Sequence, residues 1–285
     1  MIRTLCIFIL VCIGISCSID SSRSVLSDFD NTINLEFNSS PIESIELGEL
    51  LDMVSFDSIL IVNEVFKEKI FKCFNINNGR LVSNFVNRGK GPNEIIFPGL
   101  ISALSDSIFS TYDANKKQLT YSNIYDILSE YYQFEKVINI DLPDLIIFQS
   151  YPLNDSIMIL TGIFKEGKYC LFNSISGKTI IDVEFPFDEE HQEDNNYIKS
   201  MAHQGEIAIK PDKRKFVFVC RNGYFDICSV SREGLFLEKR KLYYLSDYKV
   251  VGNGTVAHSS KSAYAFHSVE VTDNYIYMIH SGRTQ

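Results

Sequence analysis

Five histidines, His191, His203, His258, His267 and His280, are the side chains here best suited to proton transfer or metal binding. No local pairing such as His-Glu-x-x-His or His-x-His, which would put two imidazoles on one metal, occurs. A serine nucleophile on a Gly-x-Ser-x-Gly elbow is also missing. The acidic run from Asp188 to Asp194 has the charge for calcium. A calcium loop interleaves its oxygens with a glycine turn, which this run lacks, so it reads as a solvated loop. Arg88-Gly89-Lys90-Gly91-Pro92-Asn93-Glu94 is glycine-rich, but its spacing is not that of a phosphate loop and no helix pattern follows. Its simpler reading is a tight connection in which Gly89 and Gly91 take positive φ, Pro92 fixes the next turn, and Glu94 accepts hydrogen bonds from Arg88 or backbone N–H groups. The residues assign no catalytic group and no cofactor, and they leave metal binding open.

The elements that must position these residues are strands. Nearly every apolar run is short, rich in Ile, Val, Phe and Tyr, and closed by Asn, Asp or Gly, which predicts an all-β fold. A weak helical pattern at Ile42 to Met53 is the exception. The tetrapeptide Asp-Ser-Ile-apolar begins at Asp57, Asp106 and Asp155, a spacing of 49 residues twice over, with looser echoes at Asp212 and Asp273. Within a unit the order is Ile59–Val62, Ile70–Asn75, a turn at Asn77-Asn78-Gly79, then Arg80–Val86. The third unit copies it with Ile157–Thr161, Lys168–Asn173, a Ser176-Gly177 turn and Thr179–Phe185.

Up-and-down sheets of about four strands, repeating every 40 to 60 residues, are the pattern of β-propeller blades. Four nearly complete blades are expected between about residues 50 and 250, with a fifth starting near Val269. A circle of six would then need roughly one and a half more blades, from a longer protein or from another chain. Propellers gather ligands around their central channel, and His203 and His267 are the two histidines best placed to reach it.

The 285 residues are 45% hydrophobic and 22% charged, a globular composition. Their net charge of −9, with no dense Lys/Arg run, argues against a nucleic acid partner. Residues 1–16 carry Arg3, an apolar run from Leu5 to Ile15 and a small-residue end, which reads as a signal peptide too short to span a bilayer. Cys17 follows Gly-Ile-Ser, which resembles the lipobox of bacterial lipoproteins, where the cysteine is acylated and anchors the protein to the membrane. Ser18 after that cysteine implies the outer membrane by the same resemblance. Residues 17–45 are the polar tether and 46–285 the propeller. Cys73, Cys170, Cys220 and Cys228 form no C-x-x-C pair and read as small buried apolar residues. Cys220 is expected opposite Phe225 across a two-residue Asn222-Gly223 turn. Tyr131-Tyr132 and Tyr243-Tyr244 are read as packing residues.

Arg88, Gly89, Gly91, Pro92 and Glu94, followed by Phe97-Pro98, resemble the Arg-Gly-x-Gly-Pro-x-Glu motif of the TolB-like six-bladed β-propeller lipoproteins, exported bacterial proteins mostly without an assigned function. Gln204–Phe218 and Asp273–Thr284 are similar to further stretches of that family. The resemblance implies a lipid-anchored binding or scaffold module for a protein, peptide or nutrient ligand. A hydrolase or lyase with a metal in the channel is the alternative, and it requires three or four Asp, Glu, Asn or His side chains converging there.

Overall fold

The turns explain the strand boundaries. In the computed structural model, Asn75, Asn154 and Asn173 each accept hydrogen bonds from backbone N–H groups two or three residues on, at 2.9–3.0 Å. Such side-chain turns stop an apolar run and reverse the chain. Gly79 and Gly177 complete two of these turns at φ of +68°. Residues 48–284 are described, apart from 128, 130, 131, 144, 245, 246, 253 and 261. The signal peptide, Cys17, the tether and Tyr131 lie outside the described residues, as does the start of the Ile42–Met53 pattern.

Four antiparallel sheets follow one another along the chain, each with its strands in sequence order. The first holds β1 (Glu49–Phe56), β2 (Ile59–Val65), β3 (Lys69–Asn75) and β4 (Leu81–Arg88), with short β5 (Glu94–Ile95) parallel to β4. The second holds β6 (Pro98–Ala103), β7 (Ile108–Asp113), β8 (Gln118–Asn123) and β9 (Lys136–Asn139). The third holds β10 (Ile146–Pro152), β11 (Ile157–Ile163), β12 (Tyr169–Asn173) and β13 (Thr179–Asp182). Helix α1 (Asn196–Ala202) precedes the fourth, made of β14 (Gly205–Ile209), β15 (Lys215–Cys220), β16 (Tyr224–Val230) and β17 (Leu235–Leu242). Two hairpins complete the described chain, β18 (Tyr248–Val251) with β19 (Thr255–His258), and β20 (Ala263–Val271) with β21 (Ile276–Thr284). The fifth blade thus opens at Ala263, earlier than the repeat suggested.

The blades pack face to face, and the period of two explains why their middle strands read as unbroken apolar runs. On β15, Phe216, Phe218 and Cys220 face the third blade while Val217 and Val219 face the fifth. On β12, Tyr169 and Leu171 pack toward the fourth blade and Cys170 and Phe172 toward the second. Each large apolar side chain so buried contributes about 1.5–3 kcal/mol. Between the first two blades Phe71 and Phe85 meet Phe109 edge-on, with centroids 5.6 and 6.3 Å apart.

The first strand of each blade is the inner one: β1 approaches β6, β6 approaches β10, and β14 approaches β20. Side chains stitch these strands together. Asp52 Oδ2 accepts from Ile101 N at 2.9 Å, and Gln149 Oε1 accepts from Leu100 N at 3.1 Å, both across 49 residues.

Three local expectations need correction. The helical pattern ending at Met53 is strand from Glu49, because its apolar residues alternate across β1 in contact with β2. The turn after β15 has three residues, Arg221, Asn222 and Gly223, so Cys220 lies opposite Tyr224 rather than Phe225. Gly89 and Gly91 do not have positive φ. A Cβ at either would meet the Glu94 carboxylate, 2.0 and 2.9 Å from Oε2, so the glycines let that side chain fold over the loop. Cys73, Cys170, Cys220 and Cys228 are free and buried.

Candidate functional site

Bulges in the inner strands create the site. The register slips between Leu50 and Asp52 on β1, between Pro98 and Ile101 on β6, and between Ile147 and Gln149 on β10. A bulge re-aims the extra residue out of the ladder. Leu51, Leu100 and Phe148, the extra residues of three successive blades, all line one cavity of about 480 Å³ at the centre of the blades. That volume is in the range of small-molecule sites.

A buried ion cluster meets the cavity at Lys168, with Asp226 and Arg240 behind it. Lys168 Nζ lies 2.8 Å from Asp226 Oδ2, and Tyr169 donates to the same oxygen at 2.9 Å. Arg240 donates from Nε to Asp226 Oδ1 at 2.6 Å and from Nη2 to Oδ2 and to the Glu184 carbonyl, each at 2.9 Å. The side chains of Lys168 and Asp226 are 4% and 0% exposed, so both charges are desolvated. The Lys168 ammonium lies 3.6, 4.5 and 4.7 Å from the ring centroids of Phe218, Tyr224 and Tyr169, whose π faces attract a cation. Burial, opposed by Asp226, pushes the Lys168 amine down to about 8. Burial raises the Asp226 carboxyl, but Lys168 and Arg240 more than reverse this and hold it below the ordinary range.

His203 caps α1, its backbone N–H donating to the Lys199 carbonyl at 3.0 Å, and its ring lines the cavity. The ring centroid is 5.6 Å from those of Phe185 and Tyr224. Burial, with Lys168 and Arg240 nearby, pushes its pKa down to about 3, so the ring is neutral. Its Nδ1 is buried without a hydrogen-bond partner, as is Oγ of Ser200, which also lines the cavity. Glu206 and Arg221 complete the charged lining. Burial raises the Glu206 carboxyl, Arg221 opposes this, and Asp52 and Glu270 add to it.

His267 is exposed on β20 with its ring 4.6 Å from Tyr264, and it does not line this cavity. The motif residues lie elsewhere, at the junction of the first two blades. Arg88 donates from Nε to the Lys67 carbonyl at 3.0 Å and from Nη1 to that of Ile96, while Glu94 Oε2 accepts from Gly91 N at 2.7 Å. Lys116 Nζ donates to the carbonyls of Gly91 and Glu94, both at 2.9 Å. The Glu94 carboxylate fills the loop that an anion would need, and Pro92 with Glu94 borders a second, polar cleft of about 610 Å³. The acidic run is partly folded back: Asp194 Oδ2 lies 3.1 Å from His191 Nδ1 and accepts from the Tyr248 hydroxyl at 2.9 Å. Tyr132 packs against Phe85, with centroids 5.2 Å apart, and Tyr243 against Phe266, 5.9 Å apart. Sequence reasoning missed Lys168, Asp226 and Arg240. The available signal was Asp226 itself, a charge between Tyr224 and Cys228 on the inward period of an apolar strand.

A model of the TolB-like 6-blade propeller-like family matches residues 48–285. The chain belongs to that family. Among solved structures, a candidate exported protein of Bacteroides fragilis NCTC 9343 superposes with a TM-score of 0.57 at 12% identity, covering 88% of this chain and 70% of that one. This likeness is one of fold. The β-propeller domain of Myceliophteria thermophila Cps50 (Swd1) aligns over 78% of this chain and 66% of its own, at 9% identity and a TM-score of 0.44. U3-55K aligns over 69% and 53%, at 12% identity and a TM-score of 0.42. Comparison with curated proteins finds no match. In this TolB-like chain the inner strands of successive blades line the cavity.

Proposed function

We propose that this TolB-like propeller is an extracytoplasmic binding module, held to the membrane by a lipid on Cys17, that captures a small ligand in its central cavity. The observation that carries this reading is the 480 Å³ cavity at the inner strands, where aromatic and aliphatic walls surround a few polar side chains. Export is supported by the signal-like residues 1–16, by the family, and by the exported Bacteroides protein of the same fold. Ser18 favours the outer membrane. Among the described residues no three His, Cys, Asp or Glu side chains are grouped to share a metal.

The test uses Ala114, an exposed residue on the cavity rim. A ligand-observed NMR screen of the purified chain against small acids, amines, sugars and dipeptides should return ligands whose binding disappears in Ala114→Trp, because an indole fills the entrance. An empty screen, or ligands that bind Ala114→Trp equally well, would overturn the reading. Turnover of a bound ligand would make the protein an enzyme.

A further inference from the structure

We infer that the cavity takes a small monocarboxylate with an apolar body, its carboxylate held at Lys168, Ser200 and His203. This rests on the cavity being the ligand site, and it adds the ligand's charge and chemistry.

The first observation is an uncompensated charge. Lys168 and Arg240 share the single carboxylate of Asp226, and all three side chains are at least largely buried, 4%, 14% and 0% exposed. Arg240 spends its other bond on a neutral carbonyl, that of Glu184. The remaining charged residues lining the cavity, Arg221 and Glu206, are of opposite sign. Asp52 and Glu270 do not line it, and their charges act on the Glu206 carboxyl. The buried cluster of two cations on one carboxylate thus meets the cavity at its Lys168 ammonium, where an anion is attracted and an amine repelled. A single ammonium at the cavity matches a monoanion.

The second observation is independent of charge. Ser200 and His203 are 5% and 7% exposed, and their Oγ and Nδ1 have no hydrogen-bond partner although both residues line the cavity. Buried polar atoms are almost always satisfied, and the exceptions need an explanation. Three residues apart at the end of α1, they share one face. A carboxylate offers two acceptor oxygens, one for the serine hydroxyl and one for a neutral imidazole N–H. Phe97, Leu100 and Phe148 supply the apolar surface for the rest of the ligand.

Isothermal titration calorimetry with benzoate, phenylacetate and hexanoate, each beside its alcohol and amine counterpart, decides the matter. At least one acid should bind, about tenfold or more tighter than its alcohol, with no binding of the amines. Ser200→Ala and His203→Phe should each weaken that acid by about tenfold. Their melting temperatures should be unchanged or higher, because each removes an unsatisfied atom. Three results would overturn the inference: no acid binds, acid and alcohol bind alike, or both variants melt lower while binding the acid normally. Alcohols or amines that bind and are blocked by Ala114→Trp would leave the cavity as the ligand site and remove only the carboxylate. Loss of both would remove the binding reading itself.

Discussion

Lys168 shows how one residue can be held at a cost the rest of the fold must offset. Its ammonium is out of water, and replacing such ion pairs with apolar groups is often neutral or stabilising. The aromatic faces of Phe218, Tyr224 and Tyr169 recover part of the lost hydration. The sign of its pH dependence follows from a pKa pushed down to about 8 against an ordinary 10.5. Between those values the folded protein has released a proton that the unfolded chain still binds, so stability gains from Lys168 as pH rises through 8. Urea denaturation of wild type and Lys168→Met at about pH 7 and about pH 9.5 measures this directly. The stability of wild type relative to the variant should increase toward the higher pH. A flat or falling difference would mean that attraction to Asp226 outweighs burial.

Among the elements, the inner strands depend on glycine for a reason that differs from the turns. A Cβ on Gly162 of β11 would sit 2.0 Å from the Ile146 carbonyl, beside the bulge of β10, and no flexible side chain can yield there. Gly177 meets nothing within 4 Å but holds φ at +68°. Gly162→Ala should therefore cost more, about 1–3 kcal/mol, than Gly177→Ala at about 1 kcal/mol. Urea midpoints at constant m-value give the order, and equal costs would show that β10 can shift away. The same contrast explains what was legible beforehand. The second and third strands of a blade are buried on both faces, so runs such as Ile157–Leu160 and Phe216–Val219 stand out between Asn and Asp turns. The inner strands of the first three blades are interrupted by bulges and carry Asp52, Pro98, Gly99 and Gln149, so the period of two breaks where the cavity forms. Helix α1 has seven residues and one side-chain cap, Asn195, too little for a periodic signal. His203 could be noticed as a histidine next to a repeat. Lys168 and Asp226 could not be paired, because 58 residues separate them and they belong to successive blades.

For the whole molecule, the fold and its address are separate problems. The blades explain how a cavity forms, while the proposed anchor is Cys17, far from them in sequence; among the described residues no helix is long and apolar enough to cross a membrane. If a lipid on Cys17 is the anchor, Cys17→Ser should move the protein from the membrane fraction to the soluble envelope fraction while the ligand affinity of the propeller stays the same. Retention in the membrane fraction would assign the anchor to another part of the protein.

The seams between blades have a mechanical meaning. Within a sheet, stiffness comes from a whole ladder of backbone bonds acting together. Between the first three inner strands, Asp52 to Ile101 and Gln149 to Leu100 act as single pins. The seams are thus joined by packed side chains and a few side-chain hydrogen bonds instead of a backbone ladder, so the cavity wall answers to side-chain identity more than to strand pairing.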